Sequence, residues 1–207
     1  MMTSFWLAAH PLVLASRSAG RRKILESAGI PLICTPSDID ERAVEAGVDG
    51  HVPISPQTIA VELARVKAVD VSRRHAGAFV LGCDQVLSCE GQIFHKATSI
   101  DQARAQLGRL AGRRHLLHSA AVLVKDGVEH GRVCDHAVLH MRPVSNQFIE
   151  SYIRLELQIL LTTVGGYEVE GLGIHLFESI EGGHSTVIGL PLIPVLDMLR
   201  DKGLLMR

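Results

Sequence analysis

A chain of 207 residues is long enough to bury a substantial core without the help of a disulfide or a structural metal. Hydrophobic residues make up 47% of it, and its 21 basic residues nearly balance its 22 acidic ones. This composition excludes a disordered chain and a strongly charged surface for nucleic acid polymers or membranes, so we predict a small-molecule partner.

Cysteine usage and the N-terminal sequence indicate the compartment. The four cysteines include no CxxC pair, which argues against a zinc site and is typical of a reducing cytosol. The apolar stretch near the N-terminus lacks a preceding basic region and is interrupted by Pro11, so we do not expect a signal peptide. Because no apolar run approaches the roughly 20 residues of a membrane-spanning helix, we predict a cytoplasmic protein.

The first third of the chain predicts a strand followed by two helices. Residues 12–15, LVLA, are typical of a short buried strand, and the polar turn over 16–23 leads into a helix that should end at Gly29. Residues 33–40, ICTPSDID, predict a strand edge and a turn. A serine cap and an amphipathic pattern then predict a helix over about 57–75.

The middle of the chain predicts long strands separated by one helix. AFVLGCDQVL, residues 78–87, indicates a strand whose chain returns through IFHKA, residues 93–97. The pattern over 101–112 is that of an amphipathic helix. Residues 115–127 and 132–144 predict a hairpin, because the dipeptide Asp-Gly between them favours a tight turn.

The last third predicts a helix over about 145–156, a glycine-rich loop over 164–173, and a final helix after Pro191 or Pro194. The chain contains no internal repeat, no low-complexity tract and no linker that would divide it. We therefore predict a single α/β domain spanning residues 1–207.

The loop after the first strand is a candidate phosphate site. It offers the hydroxyls of Ser16 and Ser18 and the guanidinium of Arg21 beside the start of a helix. Amides at a helix N-terminus carry partial positive charge and bind anions, and an arginine adds a bidentate contact to phosphate oxygens. A Walker sequence is absent. The alternative interpretation is a solvated, serine-capped helix start.

Asp84 and Lys96 form a second candidate site. Asp84 follows the run Val80–Cys83, so we expect it at the end of a strand, where a carboxylate binds a cation or takes a proton from water. If the two apolar runs pair antiparallel, Lys96 returns level with Asp84. The alternative is a turn aspartate and a surface lysine.

A wider set of charged residues has the chemistry of a metal-assisted phosphate-transfer site. Carboxylates hold Mg²⁺ or Mn²⁺ together with water, and cations neutralise the oxygens that gain charge in the transition state. One acid, Glu41, is expected on a loop and one base, Lys67, on a helix. The acids are Glu41, Asp84 and Glu170, and the bases are Arg21, Lys67 and Lys96.

Histidine and cysteine chemistry is not favoured by the pattern. Eleven histidines are present, but no HExxH spacing accompanies them, so we interpret them as satisfied or exposed polar residues. Cys83 adjoins Asp84 at the end of an apolar run and is expected to be buried and inert.

The ordered set of motifs resembles the Maf family of nucleoside triphosphate pyrophosphatases over residues 12–200. LASRSAGRRKIL is similar to that family's phosphate loop, SDIDE to its acidic turn and LARVKA to its lysine-bearing helix. LGCDQVLSCEGQIFHKA is similar to its aspartate and lysine strands, and GGYEVEGLG and VIGLPL to its C-terminal signatures. Gly20 stands where family members usually have arginine, and Ala97 where they usually have proline.

The resemblance implies a fold and an activity. The fold would be α/β, with a long twisted mixed sheet flanked by helices and two lobes around a nucleotide cleft, similar to inosine triphosphatases and often found as a homodimer. The activity would be hydrolysis of a nucleoside triphosphate between its α and β phosphates, a house-cleaning reaction that depends on a divalent metal.

The resemblance also implies roles for individual residues. Ser16 and Arg21 would bind the triphosphate, and Glu41 and Asp84 would hold the metal and the attacking water, with Asp84 as proton acceptor. The phosphates would be neutralised by the lysines, which are Lys67 and Lys96.

Two residues point to a branch of the family. Members similar to dTTP and UTP pyrophosphatases tend to have Asp-Thr and a later glutamine, whereas members similar to 7-methyl-GTP pyrophosphatases have Asp-Gln and a glutamate. This chain has Gln85 after its aspartate and Glu170 in its glycine-rich loop. Since a carboxylate suits a cationic methylated purine, we favour the 7-methyl-GTP branch.

Other functions stay open from the sequence. One alternative is selectivity for dTTP or UTP, and another is a non-catalytic nucleotide-binding regulator of cell division, with which the family has been associated by name. A phosphatase acting on a phosphorylated protein is disfavoured, because the sequence lacks the corresponding nucleophile motif.

Overall fold

The computed structural model describes residues 5–48 and 55–207. Within these residues the chain forms seven strands and eight α-helices, with two short 3-10 helices at Val164–Gly166 and Leu172–Leu176. The strands are β1 (Leu12–Ala15), β2 (Leu32–Cys34), β3 (Phe79–Cys89), β4 (Gln92–Phe94), β5 (Arg114–Lys125), β6 (Val128–Met141) and β7 (Phe177–Glu181). The helices are α1 (Ala19–Ser27), α2 (Glu41–Val48), α3 (Pro56–Ser72), α4 (Ile100–Leu110), α5 (Asn146–Leu155), α6 (Leu157–Thr162), α7 (His184–Ile188) and α8 (Leu192–Asp201).

The strands form one mixed sheet with the order β2-β1-β3-β5-β6-β7, and β4 pairs with β3. The ladders that β1 makes with β2 and with β3 are parallel, whereas those of β3 with β4 and of β6 with β7 are antiparallel. The predicted α/β class, with a mixed sheet flanked by helices, is confirmed.

The described residues group into two compact units, each assembled from separate segments of the chain. The first unit holds the residues up to Gln85 together with 119–135 and 189–207, and the second holds 86–118 and 136–188. Residues of β3, β5 and β6 belong to both units. A single domain spanning residues 1–207 stays a prediction.

The core of the first unit is aliphatic and lies on its parallel strands. Side chains of β1 and β3 pack with those of α1 and α8. Four leucines of this core have no exposed surface, namely Leu12, Leu14, Leu25 and Leu81. The helix α1 ends as predicted, but it begins at Ala19, inside the stretch that was predicted to be a polar turn. Ser18 is its N-cap and accepts a hydrogen bond from the amide of Arg21 at 3.3 Å, and Gly29 follows its last turn with a φ of +75°.

The second unit has its own core, which contains polar side chains as well as apolar ones. His115 is fully buried, and its Nε2 lies 2.7 Å from the hydroxyl of Tyr167. His118 Nε2 lies 2.9 Å from Oγ of Ser88. Among the described residues the Nδ1 atoms of both histidines have no hydrogen-bond partner. The prediction of satisfied or exposed histidines is therefore wrong for these two, since both are buried and one ring nitrogen of each is left unpaired among the described residues.

Two local predictions around the site are wrong. Glu41 does not lie on a loop but is the first residue of α2, a helix that Asp40 caps by accepting hydrogen bonds from the amides of Arg42 and Ala43 at 3.0 and 3.2 Å. Asp84 does not end a strand, since β3 continues to Cys89. The strand is longer than its apolar run because pairing with β4 extends it.

None of the helices in the two described stretches combines the length and the apolar character needed to cross a membrane.

Candidate active site

One buried lysine in the first unit joins two of the predicted site carboxylates. Lys67 lies on α3, and its Nζ is 2.6 Å from Oε1 of Glu41. The same Nζ donates a hydrogen bond to Oδ1 of Asp84 on β3. The side chains of Lys67 and Asp84 are 12% and 10% exposed, and that of Glu41 is 52% exposed. Three residues that are far apart in the sequence therefore meet at one ammonium group.

A glycine in β3 makes this meeting possible. A Cβ atom at Gly82 would lie 2.0 Å from the carbonyl oxygen of Ala64 and 2.8 Å from the amide nitrogen of Ala68, both on α3. Only glycine fits where strand and helix are this close. Side chains two positions apart on a strand share a face, so Asp84 points to the same side as Gly82, toward the helix that carries Lys67.

The segment before α2 is also anchored on α3, which helps to place Glu41. Ser37 Oγ donates a hydrogen bond to Oδ2 of Asp70 at 3.0 Å. Arg74 donates to the same carboxylate oxygen at 3.0 Å and to the carbonyl of Pro36 at 2.9 Å. Glu41 and Lys67 therefore depend on one helix for their positions.

Burial and charge act in opposite directions on this cluster. Burial raises the pKa of Asp84, and the nearby charges of Lys67 and Arg21 counteract part of that effect. Burial alone would lower the pKa of Lys67, but attraction to Asp84 and Glu41 outweighs it and the pKa is raised. The lysine is thus held as a cation beside a carboxylate whose affinity for a proton is increased.

Cys83 precedes Asp84 and has no exposed side-chain surface. Burial raises the pKa of its thiol to about 11, so the thiol is protonated at neutral pH. This environment agrees with the expectation of an inert cysteine.

The predicted phosphate loop joins β1 to α1 in the first unit. Ser18 is engaged as the N-cap, and Ser16 Oγ accepts a hydrogen bond from the amide of Ser18 at 3.2 Å. The serine-capped helix start is therefore present. The first amides of α1 have no partner within the helix, as at any helix N-terminus, so the cap is compatible with anion binding.

Arg21 donates hydrogen bonds to three other residues of the first unit. Its Nε donates to the carbonyl of Gly189 at 2.8 Å, and its Nη1 donates to the carbonyl of Cys83 at 2.8 Å and to Oγ of Ser16 at 3.3 Å. The guanidinium is half-buried and ties α1 to two other segments of the first unit.

Gln85 is the last predicted site residue of the first unit. Its Nε2 donates a hydrogen bond to Oγ of Ser119 on β5 at 3.0 Å. The side chain follows Asp84 directly and is half-buried, so its amide is oriented by the neighbouring strand.

Lys96 and Glu170 belong to the second unit. The antiparallel pairing predicted for the chain segment before Lys96 is confirmed, since Leu87 pairs with Phe94, and Lys96 follows β4 as an exposed residue. Glu170 is also exposed, and its Oε1 lies 4.0 Å from Nε2 of His184. Their predicted roles toward phosphates and base stay predictions.

The donor set of the first unit fits a divalent cation only in part. Glu41 and Asp84 both reach one Nζ, so their oxygens lie close enough to share an ion with water and phosphate oxygens, which is how Mg²⁺ is commonly bound. Over residues 5–48 and 55–207 no cluster of three or more histidines, cysteines or acids could hold a metal. The described residues therefore supply two carboxylates to such an ion, Glu41 and Asp84.

The arrangement has the parts of a base-assisted hydrolysis site. A buried carboxylate is paired with a fixed cation and lies one residue from a main-chain segment that Arg21 holds. Neither Gly82 nor Gly189 was predicted to be part of this site. A glycine inside a strand pattern is a signal of close backbone approach, which would have found Gly82. Gly189 lies within VIGLPL, one of the C-terminal signatures quoted above, but nothing in that motif identifies its carbonyl as a hydrogen-bond acceptor.

The chain is similar to known proteins over nearly its whole length. Residues 11–202 match the family described as Maf-like protein. A nucleoside triphosphate pyrophosphatase of Rhodopseudomonas palustris (strain HaA2) is 45% identical over 202 residues, which cover 98% of both chains. A 7-methyl-GTP pyrophosphatase of Mesorhizobium japonicum is 45% identical, covering 93% of this chain and 96% of that protein, and one of Brucella abortus is 46% identical, covering 92% and 96%. The resemblance noted in the motifs is confirmed over nearly the whole chain, which belongs to the Maf family.

Proposed function

We propose that this protein is a nucleoside triphosphate pyrophosphatase that releases pyrophosphate and a nucleoside monophosphate. The observation that carries the proposal is the buried Asp84 held by Lys67 and accompanied by Glu41, in a chain that matches this family over residues 11–202. The names of its relatives support the same reaction class, since they are called nucleoside triphosphate and 7-methyl-GTP pyrophosphatases.

In the proposed reaction Asp84 is the general base. The carboxylate accepts a proton from a water molecule as the water oxygen bonds to the α-phosphorus. The bond between that phosphorus and the oxygen bridging to the β-phosphorus breaks, and pyrophosphate leaves with the electron pair. Burial raises the proton affinity of Asp84, which favours this role, and Lys67 keeps the side chain in one orientation.

Substrate binding would draw on the phosphate loop and the second lysine. The helix start at α1, with Ser16 and Ser18 beside it, offers amides and hydroxyls to phosphate oxygens. Lys96 is proposed to neutralise phosphate charge. A divalent cation bound by Glu41 and Asp84 would supply further positive charge to the triphosphate.

We further propose that the substrate is a methylated guanine nucleotide, and that the enzyme acts as a homodimer, as the family resemblance implies. The carboxylate of Glu170 is exposed and suits the positive charge of a 7-methylguanine ring, with the amide of Gln85 as a second polar group. The family resemblance associates both residues with the 7-methyl-GTP branch, and two of the relatives above are named 7-methyl-GTP pyrophosphatases.

A turnover panel tests the proposal. Purified protein with Mg²⁺ or Mn²⁺ is incubated with the canonical nucleoside triphosphates, dTTP and 7-methyl-GTP, and pyrophosphate release is measured. We expect release from at least one nucleotide, and most rapid release from 7-methyl-GTP. If binding is detected by calorimetry but none of the nucleotides is hydrolysed, the enzyme assignment is wrong and a nucleotide-binding regulator is favoured. Faster hydrolysis of UTP or dTTP than of 7-methyl-GTP would instead assign the protein to the branch of dTTP and UTP pyrophosphatases.

A further inference from the structure

Arg21 contacts three segments of the first unit with one guanidinium group. Three of its five N–H donors are committed to Gly189, Cys83 and Ser16. Two of these acceptors are main-chain carbonyls, and Cys83 and Gly189 are both buried. A buried carbonyl that lost its donor would be left unsatisfied away from water, so these contacts hold the arginine firmly.

The carbonyl of Cys83 needs this donor because its strand neighbour has ended. The parallel ladder between β1 and β3 stops at the pair Ala15–Gly82, one residue before Cys83. Arg21 thus supplies a hydrogen-bond donor to β3 at the point where β1 ends and the phosphate loop begins. Its acceptor is the residue immediately before Asp84, so the guanidinium acts on the main chain that carries the proposed base.

The carbonyl of Gly189 is presented by an unusual backbone. Gly189 has a backbone φ of +108°, a value that residues other than glycine rarely adopt. A Cβ atom at this position would lie 3.1 Å from both Nε and Nη2 of Arg21. The absence of a side chain therefore lets the segment approach the guanidinium closely enough for the 2.8 Å hydrogen bond.

We propose that Arg21 is a positioning residue that fixes the β3 main chain beside Asp84, and that its contribution to the reaction is not a charge placed on the triphosphate. The inference rests on the proposed pyrophosphatase function. It differs from the role that the family resemblance implies for this arginine, since three of its five N–H donors, those of Nε and Nη1, are directed to Gly189, Cys83 and Ser16.

The two roles predict different kinetics. A displacement of a reacting group by about 1 Å can lower the rate about 100-fold without changing ground-state binding. Loss of a phosphate ligand would instead weaken substrate binding and raise KM. The shape of the side chain matters as well, because lysine carries the same charge as arginine but is a point donor that cannot bond two carbonyls in a fixed fork.

The experiment compares Arg21→Gln and Arg21→Lys with Arg65→Gln as a control. Arg65 is a partly buried arginine of α3 that pairs with Glu62, so its replacement removes the same charge without touching β3. For each protein we measure kcat and KM for pyrophosphate release. We also measure the affinity and the stoichiometry of binding of a non-hydrolysable α,β-methylene nucleoside triphosphate, and a wild-type stoichiometry shows that the site is folded.

We expect Arg21→Gln to lower kcat about 100-fold, and Arg21→Lys about tenfold or more, with KM and analogue affinity within about threefold of the wild type. Arg65→Gln should match the wild type. The inference is overturned if Arg21→Lys has wild-type kcat, or if the KM of Arg21→Gln rises as much as its kcat falls. Absence of turnover in the wild type would refute the proposed function instead.

A second variant keeps the test decisive if Arg21→Gln does not fold. Gly189→Ala leaves the charge of Arg21 in place but puts a methyl group against the guanidinium. A lower kcat with unchanged KM supports the positioning role, because no phosphate ligand has been removed. An unchanged kcat in a folded Gly189→Ala protein contradicts it.

Discussion

Replacement of Gly82 by alanine tests whether the close approach of β3 to α3 builds the site. The added Cβ would lie 2.0 Å from the carbonyl oxygen of Ala64, and 2.8 Å from the amide nitrogen and the Cβ of Ala68. Two of these three atoms belong to the main chain of a helix and cannot rotate away. The substitution therefore forces the strand and the helix apart.

The size of the effect follows from the distances. Ordinary van der Waals contact of a Cβ begins near 3.4 Å, so the gap to Ala64 must widen by about 1.4 Å. Overpacking of this kind costs about 1–3 kcal/mol of stability, and the rigid neighbours here favour the upper end. A shift of about 1 Å between Lys67 and Asp84 would lower kcat/KM about 100-fold.

Gly108 provides a matched control. It lies in α4, its φ is not positive, and no atom outside its own helix lies within 4 Å of a Cβ placed there. Gly108→Ala should therefore be neutral or stabilise the protein by up to about 1 kcal/mol. Urea unfolding followed by circular dichroism gives the stabilities of both variants, and pyrophosphate release gives their activities.

Equal stability and activity of Gly82→Ala and Gly108→Ala would contradict this expectation, since the contact at Ala64 would then not restrict the site. Loss of stability with full kcat/KM would show that β3 and α3 pack tightly but that the position of Lys67 relative to Asp84 does not limit the reaction.

Three further changes address the base, the substrate and the second unit. Asp84→Asn should fold normally and lose about 10²–10⁴-fold in kcat, because it removes the proton acceptor, and near wild-type pyrophosphate release would exclude Asp84 from the mechanism. Glu170→Gln should reduce the ratio of kcat/KM for 7-methyl-GTP to that for UTP about tenfold, since a charge-assisted hydrogen bond contributes about 1.5–3 kcal/mol, and an unchanged ratio would exclude base recognition by Glu170. Burial lowers the pKa of His115 from 6.5 to about 4, so between these values the unfolded chain binds a proton that the folded chain does not, and stability falls as pH falls. From pH 7 to pH 5 the wild type should lose about 2 kcal/mol more free energy of unfolding than His115→Phe, and equal losses in urea titrations would contradict this.

Much of the secondary structure could be predicted because its signals are local. The Ser18 cap and Gly29 stop of α1, and the Asp126–Gly127 turn between β5 and β6, each depend on a few neighbouring residues whose preferred backbone angles decide the outcome. The helix α2 was missed because its cap, Asp40, lies in a run of acids and polar residues that reads equally well as a turn.

The order of the motifs along the chain was sufficient to recognise the family and to name the chemical groups of the site. The partners of these groups could be identified in the folded chain alone: Lys67 binds Glu41 and Asp84, and Arg21 binds the carbonyls of Cys83 and Gly189. Helix and strand signals act over a few residues, whereas these contacts join segments up to 168 positions apart. Such contacts form only once packing, as at the contact of β3 with α3, has set the distances between the segments.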